Sequence, residues 1–441
     1  MKNLVYLYSY QMILICCLVL LGFFNADNSI YSIILVLFFS IEFFLFWLKE
    51  NNKETDMLIF LMFFLAFIIR IILVYYDVNI NEIDPGDCRD FRIAAENFFY
   101  TNQISFRGEF SGTILFMGII YKIFGPQRII LQYCGILCFF GASSIVYSIL
   151  KRYAVSQKTC IVCMAWMLFT PLNIINTSIS NREAFIIFLV TCSLYCFILW
   201  IENKKKRYFF GMLLSTVLGM ILHSGIIGVF VGYVMWMAFY DKKRQKIHLR
   251  MRTIVILCFT GITIYYLYQS LGGTWIFAKF GEMEDVLDIT TKAAGYQGEE
   301  IGSTYVIPGG NSTSILGMLL STPLRAIYFV LSPMPWYWRG GMDFILFMFC
   351  SFPHIIMIFL FCKNLFLDIK CGHVKDDNFS LIIVLMVSCL AISIIFGWGV
   401  RNAGTAIRHR DKFISIYTVL LALLLKRGTN ETDFEKRKEI S

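Results

Sequence analysis

Residues 57–76 read MLIFLMFFLAFIIRIILVYY, and eight residues later the chain runs Asp84-Pro85-Gly86-Asp87-Cys88-Arg89-Asp90-Phe91-Arg92. The first stretch is twenty residues long, the length that carries an α-helix across the hydrocarbon core of a bilayer. The second packs three carboxylates and two guanidiniums into nine residues. A long apolar run that meets dense charge at its end reads as a membrane helix that opens onto an aqueous face. The rest of the chain repeats the apolar part of that pattern.

Of the 441 residues, 58% are hydrophobic and only 16% charged, and the mean hydropathy is +0.67. A soluble domain carries roughly 25% charge. The apolar runs are continuous rather than alternating, which argues against a β-barrel. The expected fold class is therefore all-α: a polytopic helical membrane bundle of about 12 full spans with juxtamembrane or re-entrant helices. Leu4–Phe24, Ile30–Leu48 and Met57–Tyr76 are read as the first three spans and Thr253–Leu271 as a later one. Met1–Phe24 is not read as a cleaved signal, because no small-residue cleavage site stands out and further spans follow. The net charge of +9 does not point to nucleic acid, because Lys and Arg collect in short loops, as the positive-inside rule requires. Most of the 14 cysteines lie within apolar runs, and Cys160-x-x-Cys163 has no second ligand pair, so both read as packing residues.

Lys2, Lys49 and Lys53 mark the cytoplasmic side, which puts the chain outside after the third span. The resulting organisation is one transmembrane domain over 1–425 and a cytoplasmic tail over 426–441, with both termini inside. An outer loop at 77–109 leads into a juxtamembrane helix at 110–124. A second outer loop covers 272–313, and a re-entrant segment with Pro323 covers 314–342. Irregular backbone at membrane depth is tolerated where protein or a water-filled cavity covers it.

With this topology the polar clusters gather on the outer face: Asp84–Glu96, Asn181-Arg182-Glu183, His223, and Arg401 through Arg410, with Arg325 and Arg339 as further members. Ionisable residues near membrane depth are functional-site candidates. A carboxylate can take a proton from an attacking hydroxyl, and guanidiniums match phosphate oxygens bidentately. That points to Asp87, Asp90 and Glu183 as the carboxylates that would take that proton. Arg89, Arg92, Arg182, His223, Arg325, Arg339, Arg401, Arg408 and Arg410 are the candidates to hold substrate or phosphate. Ordinary readings compete. Asp84–Asp90 fits a solvated Pro-Gly turn, Arg182-Glu183 a charge pair at a helix start, His223 a packing ring, the late arginines interfacial anchors, and Trp336-Tyr337-Trp338 an aromatic belt.

The middle of the chain resembles the membrane glycosyltransferases of the C superfamily, which use polyprenyl-phosphate sugars. The resemblance is carried by Asp87 with Phe91 four residues on and Ala94-Ala95 after it. Ile119-Ile120-Tyr121-Lys122-Ile123-Phe124-Gly125, the basic end at Lys151-Arg152, and Glu183 at the start of a later span complete it. It implies that Asp87 acts as base for an acceptor hydroxyl. In this chain the acids are spaced Asp87-Cys88-Arg89-Asp90 rather than adjacent, which leaves a divalent metal an open question. No other cofactor is expected. Asn402-Ala403-Gly404-Thr405 and Arg408-His409-Arg410 resemble bacterial O-antigen and capsule polymerases, whose outer-loop arginines surround a lipid-linked pyrophosphate.

The expectation is thus a multi-pass inner (plasma) membrane glycosyltransferase of bacterial surface-polysaccharide assembly. It would polymerise a polyprenyl-(pyro)phosphate-linked saccharide, or transfer a single sugar from a polyprenyl-phosphate donor. Its partners would be that saccharide lipid, the bilayer and polysaccharide-assembly proteins. A flippase for lipid-linked saccharides is the rival from another class. It would show paired broken helices in repeats, and none is visible.

Overall fold

The computed structural model describes residues 57–83, 86–103, 111–241, 246–247, 315–371, 377–400 and 402–440. The expected spans Leu4–Phe24, Ile30–Leu48 and Thr253–Leu271, the loop 272–313 and Arg401 lie outside these residues. What is described is almost wholly helical, as expected for a polytopic bundle. Five helices are long and apolar enough to cross a membrane: Met57–Asn79, Arg128–Arg152, Glu183–Asn203, Gly341–Phe366 and Phe379–Gly399. Shorter apolar helices accompany them. Tyr240–Asp241 and Lys246–Ile247 form a small antiparallel pair.

The described residues fall into two compact units, residues 1–141 with 174–185 and residues 142–173 with 186–441. In the first unit α1 (Met57–Asn79), α2 (Gly86–Thr101), α3 (Ser111–Phe124) and the start of α4 (Arg128–Arg152) follow one another. The stretch expected as a loop from 77 to 109 thus contains a helix, and the acid-rich residues from Gly86 onward form its first turns. Phe91 and Ala95 of α2 pack with Met117 and Tyr121 of α3 and Leu131 of α4 in one buried cluster. The Phe98 ring fills the place a side chain on Gly118 would need. Gly125 ends α3 at φ 91°, with its N–H on the Tyr121 carbonyl at 2.8 Å. That left-handed cap suits glycine.

In the second unit, α5 (Gln157–Phe169) begins under a Ser156 cap whose Oγ accepts from Thr159 N at 3.3 Å. It ends before Pro171, where proline cannot supply the N–H a continuing helix needs; α6 (Pro171–Asn176) starts there and its residues from Ile174 on belong to the first unit. The run from 206 to 239 divides into α8 (Lys206–Leu222), a 3₁₀ turn at Ser224–Ile226 and α9 (Ile227–Phe239). The later helices are α10 (Ile315–Leu331), α11 (Gly341–Leu346), α12 (Phe352–Cys371), α13 (Asp377–Gly399), α14 (Ala403–Asp411) and α15 (Ile414–Ile440). A π turn at Phe347–Ser351 joins α11 to α12.

Close packing in this unit relies on small residues. Gly228 and Gly232 of α9, spaced as G-x-x-x-G, lie against Ile392 and Ser388 of α13, and Gly397 lies against the α10 backbone at Arg325 and Ala326. In lipid, where the hydrophobic effect does little to join helices, such close backbone approach supplies the packing.

Candidate active site

The site in the first unit starts from Asp77. Asp77 is 2% exposed and sits in the last turn of α1, where the helix dipole disfavours a negative charge. Arg128 opens α4, where the dipole disfavours a positive one. The two pair with each other, so each offsets the other's unfavourable placement. Asp77 Oδ2 also accepts from Gln132 Nε2 at 2.5 Å, and Oδ1 accepts from Ile83 N at 2.6 Å. That last bond anchors the segment leading into α2.

Glu82 extends the network. It lies 3.0 Å from Arg92 and 3.5 Å from Arg128, while Arg92 also reaches Glu96 at 3.3 Å. Burial lowers the Arg92 pKa, but Glu96 and Glu82 outweigh it, and the net direction is upward. Arg92 is thus a fixed cation that holds α2 in place. Arg70 plays a similar part deeper in α1. It is fully buried, donates to Thr177 Oγ1 at 2.8 Å and to the Ala66 carbonyl at 3.1 Å, and lies 4.2 Å from the centre of the Phe139 ring.

Above this frame the turn before α7 (Glu183–Asn203) brings Arg182 and Glu183 inward. Arg182 is 5% exposed and Glu183 fully buried. The Asn181 side chain accepts from Arg182 N at 2.8 Å and shapes the turn. Arg182 Nη1 donates to Thr113 Oγ1 of α3 at 3.1 Å, and its guanidinium lies 5.1 Å from the Phe91 ring centre of α2. Three elements therefore meet around one guanidinium with a buried carboxyl beside it in sequence.

The sequence candidates divide accordingly. Asp87, Asp90, Arg89, Arg92, Arg182 and Glu183 all belong to the first unit. Asp87 lies on α2 one turn before Phe91, whereas Asp90 and Arg89 are exposed. His223, Arg325, Arg339, Arg408 and Arg410 belong to the second unit.

There His223 is 6% exposed and accepts from Gly225 N at 3.1 Å through Nδ1. Its ring packs 5.1 Å from His409 and 5.3 Å from Phe396. Lys412 Nζ is 2.6 Å from His409 Nδ1. Arg325 is buried and donates to Ser321 Oγ at 2.9 Å. Arg339 is exposed and lies 3.9 Å from Asp343. Arg408 is partly exposed.

Arg410, a candidate to hold a lipid phosphate, is engaged with the protein's own backbone and one hydroxyl. Its Nη1 donates to the carbonyls of Phe329 (2.9 Å) and Val330, and its Nη2 to Ser332 O at 2.5 Å and Ser351 Oγ at 3.2 Å. These acceptors lie at the end of α10 and in the π turn, where helix carbonyls lose their intrahelical partners. Asn402, in the same motif, caps α14 by accepting from Thr405 N at 3.1 Å, a preferred role for asparagine.

Sequence reasoning missed Asp77, Arg128, Gln132 and Arg70. Arg70 had a usable signal, a lone cation inside an apolar run. Asp77 had one as well, a carboxylate directly after the run ends. Arg128 and Gln132 gave none, because their partners are some fifty residues away.

Residues 107–276 match the model of the family described as dolichyl-phosphate-mannose-protein mannosyltransferase. The matched segment is less than half of the chain. It contains Thr113, Arg128, Arg182, Glu183 and His223, and starts after Asp87 and Asp90. No curated protein and no solved structure matches the chain.

Proposed function

We propose that the chain is a multi-pass membrane glycosyltransferase that takes its sugar from a polyprenyl-phosphate donor. The observation that carries this reading is the mannosyltransferase family match over 107–276, a segment that supplies the buried Arg182-Glu183 turn. In this reading a carboxylate, Asp87 or Glu183, takes the proton of an acceptor hydroxyl. The hydroxyl oxygen forms a bond to the anomeric carbon, the bond from that carbon to the phosphate oxygen breaks, and polyprenyl phosphate leaves with the electron pair. Arg182, planar and permanently charged, is suited to the phosphate oxygens. The acceptor and donor would meet at the outer face of a bacterial inner membrane, in the assembly of a surface polysaccharide.

The same chemistry polymerises repeat units when the acceptor is itself a lipid-linked saccharide. The basic run from Arg401 to Arg410 favours that second reading. The use of Arg410 on backbone carbonyls weakens it, so single-sugar transfer stands ahead.

The test uses membranes containing the full chain and a radiolabelled polyprenyl-phosphate sugar. Transfer to endogenous acceptor with release of polyprenyl phosphate, lost in Glu183→Gln or Asp87→Asn, is the expected result. Appearance of intact labelled lipid on the opposite leaflet without sugar transfer would replace the reading with a flippase. A gel of surface polysaccharide separates the two transferase forms. Loss of long chains with single units still displayed identifies polymerisation.

A further inference from the structure

In the second unit an apolar cavity of about 420 Å³ lies among α10, α12, α13 and α15. Its volume falls within the roughly 300–1,000 Å³ of small-molecule sites. Ile327, Ile358 and Leu390 line it and are also exposed on the helix surfaces, so the cavity opens toward the apolar exterior that a bilayer covers. Two of its polar lining groups are already engaged. Thr322 Oγ1 accepts from Trp398 Nε1 at 2.8 Å, and Ser393 Oγ donates to the Cys389 carbonyl at 2.6 Å.

His354 and Tyr417 differ. They are 3% and 2% exposed, and their rings meet edge-on at 4.5 Å. The Cys350 carbonyl lies near the imidazole, but among the described residues no well-formed hydrogen bond reaches either ring nitrogen or the Tyr417 hydroxyl. Buried polar groups are rarely left so.

The same two side chains also line a second, much smaller chamber of about 10 Å³, together with Thr170, Arg410 and Asp411. That is about the space of one water molecule. The ring pair therefore stands where a large apolar cavity meets a small chamber bordered by Arg410, Asp411 and Thr170. An occupant of both needs a hydrocarbon body and a head no bigger than a hydroxyl. It should be uncharged, since Arg410 and Asp411 both border the chamber with opposite charges and the Arg410 guanidinium is engaged with backbone. A hydroxyl both donates and accepts, so it satisfies His354 in either tautomer and Tyr417 as well.

We propose that this cavity binds a long-chain alcohol, its chain among α10, α12, α13 and α15 and its hydroxyl between His354 and Tyr417. This goes beyond the transferase reading. A phosphate-bearing donor is a different ligand, with a head far larger than the chamber.

The experiment photolabels the full chain in nanodiscs with a diazirine-bearing long-chain alcohol and maps the labelled peptides. Label on α10, α12 or α13 is expected, and unlabelled alcohol should compete about tenfold better than the alkane of equal length, the ratio that one good hydrogen bond supplies. Tyr417→Phe, which removes only the hydroxyl oxygen, should shrink that ratio severalfold. Equal competition by alcohol and alkane in the unaltered protein overturns the proposal and leaves a general hydrocarbon site. Label elsewhere, or equally strong label from a diazirine-bearing phospholipid, overturns it too.

Discussion

The Arg182 guanidinium lies 5.1 Å from the centre of the Phe91 ring, which ties the turn before α7 to the helix that carries Asp87. With Thr113 Oγ1 at 3.1 Å, the cation is held by an aromatic face on one side and a hydroxyl on another. Its planar fork is therefore oriented before any ligand arrives. Hydrogen bonds to charged groups contribute about 1.5–3 kcal/mol. Arg182→Ala should accordingly lower sugar transfer by roughly 10–150-fold. Arg182→Lys should not restore it, because a point charge lacks the fork and stacks poorly. Initial rates in membranes, normalised to protein amount, check this. Lysine working as well as arginine would reduce Arg182 to a simple counter-charge.

The acids of α2 should separate sharply. Asp87 is one turn from Phe91, while Asp90 is exposed. If Asp87 takes the acceptor proton, Asp87→Asn should slow transfer by about 10²–10⁴-fold, the usual contribution of a general base. Asp90→Asn should leave the rate within about twofold, as is usual for an exposed side chain. The comparison is made on the same donor and acceptor at saturating concentration. A severe loss in Asp90→Asn with a mild one in Asp87→Asn would reverse the assignment.

Asp77 is predicted to matter for the fold rather than the chemistry. It is buried and accepts from Arg128, Gln132 and Ile83 N. Removing one partner of a buried ion pair costs about 3–5 kcal/mol, because the other charge is left behind. Asp77→Ala should lower the apparent melting temperature of the purified protein by several degrees. A double-mutant cycle with Arg128→Ala should give a coupling of about 0.5–3 kcal/mol. Additive losses would show that the pair contributes nothing beyond its separate contacts.

The helices were legible because hydropathy alone sets their lengths and Pro or Gly punctuates them. Pro171 and Gly125 stand at helix boundaries, and the run from 206 to 239 divides at His223. Arg182 and Glu183 were legible as charges at the start of an apolar run. What escaped was the identity of each charge's partner. Asp77 and Arg128 lie 51 residues apart, and nothing local distinguishes Arg128 from an ordinary boundary cation. Arg410 shows the same gap from the other side. A basic cluster reads as a phosphate site, yet the carbonyls that Arg410 satisfies belong to a helix end some eighty residues earlier. Helix ends create demand for donors, and sequence does not say which distant side chain meets it.

Arg410 offers the cleanest separation of structural from substrate-binding arginines. Four acceptors surround its guanidinium, three of them backbone carbonyls near the end of α10. At 2% exposure it meets little solvent. Arg410→Ala leaves those carbonyls without a donor, at about 1–3 kcal/mol for each unsatisfied buried group. A marked fall in thermal stability is expected, partly recovered by Arg410→Lys, whose ammonium carries three donors. The folded fraction of Arg410→Lys should bind a polyprenyl-phosphate donor with unchanged KM. A raised KM at unchanged stability would return Arg410 to the phosphate, and with it the polymerase reading.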